Sequence, residues 1–202
     1  MRFLVVCLAA SLLAACTYDA KPVAVTSAAS EIQTNRISRE RVSLYLAPDL
    51  MDLETEADTG YTCSAHKFPV KAGSAVATSV RKVVEEAFAG YELRETPTYS
   101  GPDLDMRVGL ESFKVDLAFD SGFWSAKANA QAELVLKVDV SRNGEAIVGR
   151  TTIAGEGTGR RDGGCGDGAE ASAEATEKAI KRTMENMVYK LVNSGALTDQ
   201  GR

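Results

Sequence analysis

Apolar and polar residues alternate through most of the second half of the chain, and this pattern constrains the fold most. The apolar positions are even in 104–110, odd in 113–119 and even again in 124–140. Such alternation is typical of strands that bury one face. The phase change at Glu111-Ser112 predicts a β-bulge, because one inserted residue reverses the alternation. The segment therefore predicts long antiparallel strands that need a second layer over their apolar face.

Two turns give the predicted register of these strands. A two-residue turn at Ser121-Gly122 places large residues opposite small ones and an acid opposite a base. The pairs are Phe119 with Trp124, Leu117 with Ala126, Val115 with Ala128, Phe113 with Ala130, and Asp116 with Lys127. Asn143-Gly144 suits a type I′ hairpin. It pairs Arg142 with Glu145 and Val140 with Ile147, and further along it sets Lys137 against Arg150, a like-charge conflict.

Two amphipathic helices supply the predicted covering layer. The first has Ser74 as its N-cap and Gly90 as its stop, and the second begins at a capping box of Asp167 and Glu170 and stops at Gly195. Their apolar stripes are Val76, Val80, Val83, Val84, Ala87 and Phe88, and Ala171, Ala175, Ala179, Ile180, Met184, Met187, Val188 and Leu191. Short strands are expected at 41–47 and 91–95, with a loop at 48–72. The predicted class is α+β, a two-layer α/β sandwich whose mostly antiparallel sheet carries two helices on one face.

The N-terminus predicts where the chain is located. Arg2 and the apolar run after it have the form of a signal peptide over residues 1–15, too short to span a membrane. The run ends in Leu13-Ala14-Ala15-Cys16, which resembles the lipobox of bacterial lipoproteins. The resemblance implies cleavage before Cys16 and a lipidated, palmitate-bearing cysteine, and Thr17 in place of Asp implies the outer membrane. An ordinary secretory signal is the alternative. Residues 16–38 form a predicted flexible tether, 39–197 a single domain and 198–202 a tail.

The charge of the chain argues against two classes of partner. The net charge is −5, and the sequence has no basic block. An acidic chain of this kind does not attract the phosphates of nucleic acid or the headgroups of anionic lipids. Membrane attachment is therefore expected through the lipid on Cys16 alone, because acyl chains suffice as an anchor.

Cys63 and Cys165 are the cysteines that remain beyond Cys16. In an oxidising compartment two such thiols are most simply one disulfide. The loops that carry them both lead into helices of the same layer, which brings them together. Two alternatives stay open, free thiols and a metal site in which His66, from the Cys63-Ser64-Ala65-His66 motif, joins both cysteines. Disulfide formation is preferred because it needs no further ligand.

The glycine-rich stretch 159–170 raises the question of a phosphate site. It lacks the Gly-Lys-Ser/Thr of a Walker loop, and Asp162 stands where a dinucleotide fingerprint needs its third glycine. Arg160 and Arg161 beside a helix N-terminus leave an anion site as an alternative. His66 is the single histidine, and no nucleophile and base are paired with it. We expect no catalytic residues, no bound metal and no cofactor, and we interpret the stretch as a joint.

A partner contact is expected at a strand edge or at the tip of the first hairpin. Phe123 is out of phase with the core positions and is predicted to project beside Asp120, although local packing over the sheet edge is an alternative. The outer sheet face is too polar for an obligate hydrophobic interface. That face is predicted to carry Lys114, Asp116, Lys127, Asn129, Gln131, Glu133 and Lys137.

The lipobox, the tether, the helix ending in FAGYEL and the terminal helix together resemble the small YajG-like bacterial lipoproteins. More loosely, they resemble the α/β lipoproteins that assist export machines. The resemblance implies a non-enzymatic binding or assembly module, anchored in the outer membrane and facing the periplasm, with an envelope protein as partner. The rival hypothesis is a periplasmic metal- or anion-binding protein or enzyme built around Cys63, His66, Arg160 and Arg161.

Overall fold

A computed structural model describes residues 38–97, 101, 103–121, 126–195 and 197 of the chain. The predicted signal peptide, Cys16, most of the tether, Phe123 and the tail lie outside these residues. The strands are β1 Ser38–Leu46, β2 Glu54–Glu56, β3 Pro69–Lys71, β4 Phe88–Arg94, β5 Leu104–Ser121, β6 Ala126–Arg142 and β7 Glu145–Asp162. The helices are α1 Pro48–Met51, α2 Gly73–Ala87 and α3 Gly168–Met187, with a 3-10 turn Cys165–Asp167 before α3 and a π-helical turn Val188–Asn193 after it.

Within the described residues one sheet has five strands in the order β4-β1-β5-β6-β7, and β2 and β3 pair separately. The predicted α+β class is confirmed in outline, but the sheet is mixed. β1 lies parallel to both β4 and β5, whereas β5–β6 and β6–β7 are antiparallel. The parallel pair β1–β4 follows from the chain path, because α2 carries the chain back between two strands of one sheet. The predicted loop 48–72 in fact contains α1, β2 and β3.

The core lies between the sheet and the helices α2 and α3. The apolar positions of the alternating strands are buried, including Leu104, Leu117 and Leu134. Every stripe residue predicted for the second helix is buried as well. The predicted bulge is confirmed, since the β5–β6 register shifts between Leu110 and Ser112.

The predicted register of β5 and β6 is wrong by four residues. Phe119 lies opposite Ala128 and Asp116 opposite Gln131, while Lys127 pairs with Asp120. An even shift leaves each side chain on its predicted face, so alternation alone cannot detect it. Leu117 still faces an alanine, Ala130, which explains why the large-to-small pattern seemed to support the wrong turn.

The second hairpin forms as predicted at its tip. Arg142 pairs with Glu145, and Asn143 and Gly144 have φ of 51° and 83°, as a type I′ turn requires. Further along, two register shifts place Val140 opposite Val148 and Lys137 opposite Thr152. The predicted contact between Lys137 and Arg150 is therefore wrong, and the irregularities remove the like-charge conflict.

The helix boundaries depart from the local signals. α2 begins at Gly73 and ends at Ala87, so Gly90 is not its stop but lies within β4. Pairing with β1 begins at Phe88, and this tertiary contact overrides the helical periodicity. Asp167 occupies the N-cap position of α3 without a side-chain capping hydrogen bond.

α3 packs unusually close to β7 because three alternate residues of that strand are glycines. A Cβ on Gly155, Gly157 or Gly159 would lie 2.3, 2.1 and 2.0 Å from backbone atoms of Thr183, Ala175 and Ala171 respectively. These glycines therefore let the helix backbone rest on the strand. This packing is the structural reason for the glycines that the sequence presents as an incomplete nucleotide motif.

Candidate functional site

A groove crosses β5, β6 and β7 on the polar face of the sheet, opposite the face that packs against the core. Its volume is about 820 Å³, within the range of natural ligand sites. Two cross-strand rows of outward side chains form its floor. They are Asp116, Gln131 and Thr158 in one row and Ala118, Asn129 and Arg160 in the other. We call this feature the polar-face groove.

The loop 58–62 forms one wall of the polar-face groove. It is attached to the part of β5 that lies beyond the pairing with β1. The Asp58 N–H donates to the Val115 carbonyl at 2.9 Å, and the Leu117 N–H donates to the Asp58 carbonyl at 2.7 Å. Asp58 also accepts a hydrogen bond from the Gly60 N–H at 3.0 Å, which closes the turn. The Tyr61 side chain is fully exposed. The wall is thus fixed in its backbone and presents an aromatic ring.

A disulfide holds the end of this wall. Cys63 and Cys165 are bonded, with their Cα atoms 5.8 Å apart and a sequence separation of 102. The bond joins the wall to the turn that precedes α3, so the predicted disulfide is confirmed. The alternative metal site is wrong in this state, because neither sulfur is a free thiolate ligand. Among the described residues no group of three His, Cys, Asp or Glu side chains is suited to a metal ion.

The opposite rim of the groove is formed by Glu174 and Lys178 of α3. The Lys178 ammonium donates to Glu174 at 2.7 Å, and it also donates to the Thr158 carbonyl at 2.8 Å on the edge of β7. The hydrogen bond from Lys178 lowers the pKa of Glu174. Partial desolvation raises this pKa, but the charges of Lys178 and Arg161 lower it further. Glu174 therefore stays ionised and holds Lys178 in place.

The two arginines of the glycine-rich stretch have different surroundings. The Arg161 guanidinium donates to Glu174 and lies 3.5 Å from Glu170, so carboxylates of α3 already neutralise it. Arg160 instead lines the polar-face groove. The alternative of an anion site at the helix N-terminus drew on both arginines, and in the structure Arg161 is ion-paired with α3 whereas Arg160 lines the groove.

The unneutralised charges of the groove lie on opposite sides. Asp58 and Asp116 are neighbours across an isolated parallel bridge, and within the described residues neither has an ion-pair partner. Arg160, on the other side of the groove, also has no ion-pair partner among the described residues. Between them lie the neutral amides of Asn129 and Gln131.

Of the two residues predicted for partner contact, Asp120 and Phe123, the structure describes only Asp120. Asp120 is exposed, pairs in register with Lys127 and accepts a hydrogen bond from Asn129 at 2.7 Å. It therefore borders the groove, while Phe123 lies outside the described residues. Asp116, Asn129 and Gln131 were predicted on the outer face, but Asp58 and Tyr61 were not identified, since no sequence signal shows that their loop joins β5.

The edge of β7 is poorly suited to the strand addition that the sequence left as an option. Side chains from the helical segment donate to its outward carbonyls. Lys178 reaches Thr158 at 2.8 Å, Asn186 reaches Ala154 at 2.7 Å and Lys190 reaches Thr152 at 3.0 Å. Occupied edge carbonyls do not offer a free ladder to another strand.

A minor lipoprotein from Acinetobacter baumannii is a distant structural neighbour. The two chains are 11% identical, the likeness covers 77% of this chain and 92% of that one, and the TM-score is 0.35. Such a score reflects coarse outline only, so no property of that lipoprotein is transferred. No known protein family and no curated protein matches the chain, and the YajG-like resemblance rests on the sequence alone. Among the described helices, none has the length and apolar character to cross a membrane.

Proposed function

We propose that this chain is a lipoprotein anchored in the outer membrane through Cys16, which faces the periplasm and serves an envelope or export complex as a non-enzymatic binding module. The observation that carries the proposal is the polar-face groove, whose wall is fixed by a disulfide. The Cys63–Cys165 bond suits an oxidising envelope compartment. The lipobox-like Leu13-Ala14-Ala15-Cys16 and the Thr17 after it support the anchor and the membrane.

Binding is favoured over catalysis by the chemistry of the groove lining. The single histidine of the chain, His66, is not among the lining residues, so the usual proton-transfer group at neutral pH is missing from the floor. Lys178 is held by Glu174 at 2.7 Å and is not presented as a nucleophile. The lining also includes the carboxylates of Asp58 and Asp116, the guanidinium of Arg160 and the amides of Asn129 and Gln131, all of which can bind and orient a ligand.

Site-specific photo-crosslinking in cells tests whether the polar-face groove is the contact site for an envelope component. A photo-crosslinking amino acid replaces Gln131 on the groove floor, and a matched variant carries it at Glu177, an exposed residue on α3. We expect a discrete adduct with one envelope component from position 131 and none from position 177. Equal adducts from both positions, or none from position 131, would contradict the groove as the contact site.

A further inference from the structure

The charges of the polar-face groove indicate the chemical class of its ligand. Asp58 and Asp116 are paired in an isolated parallel β-bridge, and like charges at paired positions repel. Asp58 on the wall and Asp116 on the adjoining floor line the same side of the groove. A ligand cation bound between the two carboxylates would relieve this repulsion and gain two charge-assisted hydrogen bonds.

Arg160 provides a positive charge at the other end of the groove, opposite the two carboxylates. Its strand β7 is two strands away from β5, which at about 4.8 Å per strand is about 10 Å. A guanidinium that lines the groove is suited to bidentate binding of a carboxylate. The side chains between the two ends, Asn129 and Gln131, each carry both a donor and an acceptor. They match the N–H and C=O groups of a peptide backbone.

We infer that the polar-face groove binds a short zwitterionic peptide of about three residues, with its ammonium between Asp58 and Asp116 and its carboxylate on Arg160. An extended peptide spans about 3.3–3.6 Å per residue, so about three residues cover the distance between the charged ends. Ala118 on the floor and the exposed ring of Tyr61 on the wall offer apolar surface to the side chains of the peptide. The inference rests on the proposed binding function and names its ligand class.

Titration calorimetry on the full-length lipoprotein in detergent tests this ligand class with trialanine as the probe. Acetyl-trialanine lacks the ammonium, and trialanine amide lacks the carboxylate. We expect trialanine to bind and each capped peptide to bind at least about fivefold more weakly. Asp116→Asn should abolish the difference between trialanine and its acetylated form. Arg160→Gln should abolish the difference between trialanine and its amide.

Glu133→Gln is the matched control, since Glu133 lies on the same strand face as Gln131 but outside the groove lining. This variant should keep all three affinities. The ligand class is wrong if trialanine gives no heat at about 10 mM, if capping either end leaves binding unchanged, or if the control loses binding as the two groove variants do. A missing trialanine signal with intact crosslinks from position 131 would overturn the peptide ligand alone. Loss of both results would overturn the binding module itself.

Discussion

At the scale of single residues, the glycines of β7 determine how closely α3 packs on the sheet. A Cβ added to Gly157 would lie 2.1 Å from the carbonyl oxygen of Ala175. The neighbour is backbone and not the end of a flexible side chain, so the helix itself must move to admit a methyl group. Arg160, which lines the groove, lies three positions further along the same strand, and the seating of α3 on β7 thus also supports the groove.

Gly157→Ala is expected to destabilise the protein by about 1–3 kcal/mol, because the added methyl group overpacks the interface between α3 and β7. Gly149→Ala is the matched control on the same strand, since no atom lies within 4 Å of a Cβ at that position. Its free energy of unfolding should stay within about 0.5 kcal/mol of the wild-type value. Urea denaturation of both variants measures the difference, and equal stabilities would contradict the close packing.

At the scale of elements, the disulfide connects the groove wall to the long helix. Cys63 itself has a φ of 62°, in the left-handed region that residues other than glycine seldom adopt. The next segment toward the N-terminus is the loop 58–62, which is bonded to β5 through Asp58. The disulfide therefore adds a covalent link at one end of a loop that Asp58 joins to β5 at the other end.

Cys63→Ser and Cys165→Ser should each lower the free energy of unfolding by about 4–5 kcal/mol in the chain-entropy model, because either change opens the same loop of about 100 residues. The double variant should lose no more than either single variant. Thermal or urea unfolding under non-reducing conditions measures the loss. Recovery of both cysteines as free thiols, in peptide mapping of thiol-blocked wild-type protein, would contradict the bond.

At the scale of the whole molecule, the folded domain and the proposed anchor are separate parts of the chain. The described sheet begins at Ser38, well after Cys16. Lipidation is therefore expected to determine where the protein is found without changing how the domain folds. We expect the predicted tether to let the polar-face groove meet the proposed partner away from the bilayer surface.

Cys16→Ala should move the protein from the outer-membrane fraction to the soluble fraction while its melting temperature stays unchanged, because the lipid is lost and the domain is not touched. Cys7→Ala is the matched control, since this cysteine lies in the predicted signal peptide and its replacement leaves the lipobox-like Leu13-Ala14-Ala15-Cys16 intact. It should remain with the membrane. Density-gradient fractionation of cell envelopes measures both variants, and an anchored Cys16→Ala protein would show that lipidation is not the attachment.

Local sequence patterns are sufficient to predict the two-layer architecture, the helical stripes, the bulge after Leu110 and the tip of the second hairpin. These features follow from local periodicity and turn chemistry, which act over a few residues. The Cys63–Cys165 pairing could also be predicted from the sequence, because the redox compartment and the order of the elements restrict where two cysteines meet.

Three features depend instead on contacts between distant segments: the parallel placement of β1, the register of β5 on β6 and the position of the loop 58–62. Alternation is unchanged by a shift of four residues, so Asp116 opposite Gln131 has the same pattern as Asp116 opposite Lys127. The bond from Asp58 to β5 joins segments far apart in the chain, and no local signal encodes it. The polar-face groove exists because distant segments meet, and for that reason the sequence showed its floor residues but not the site.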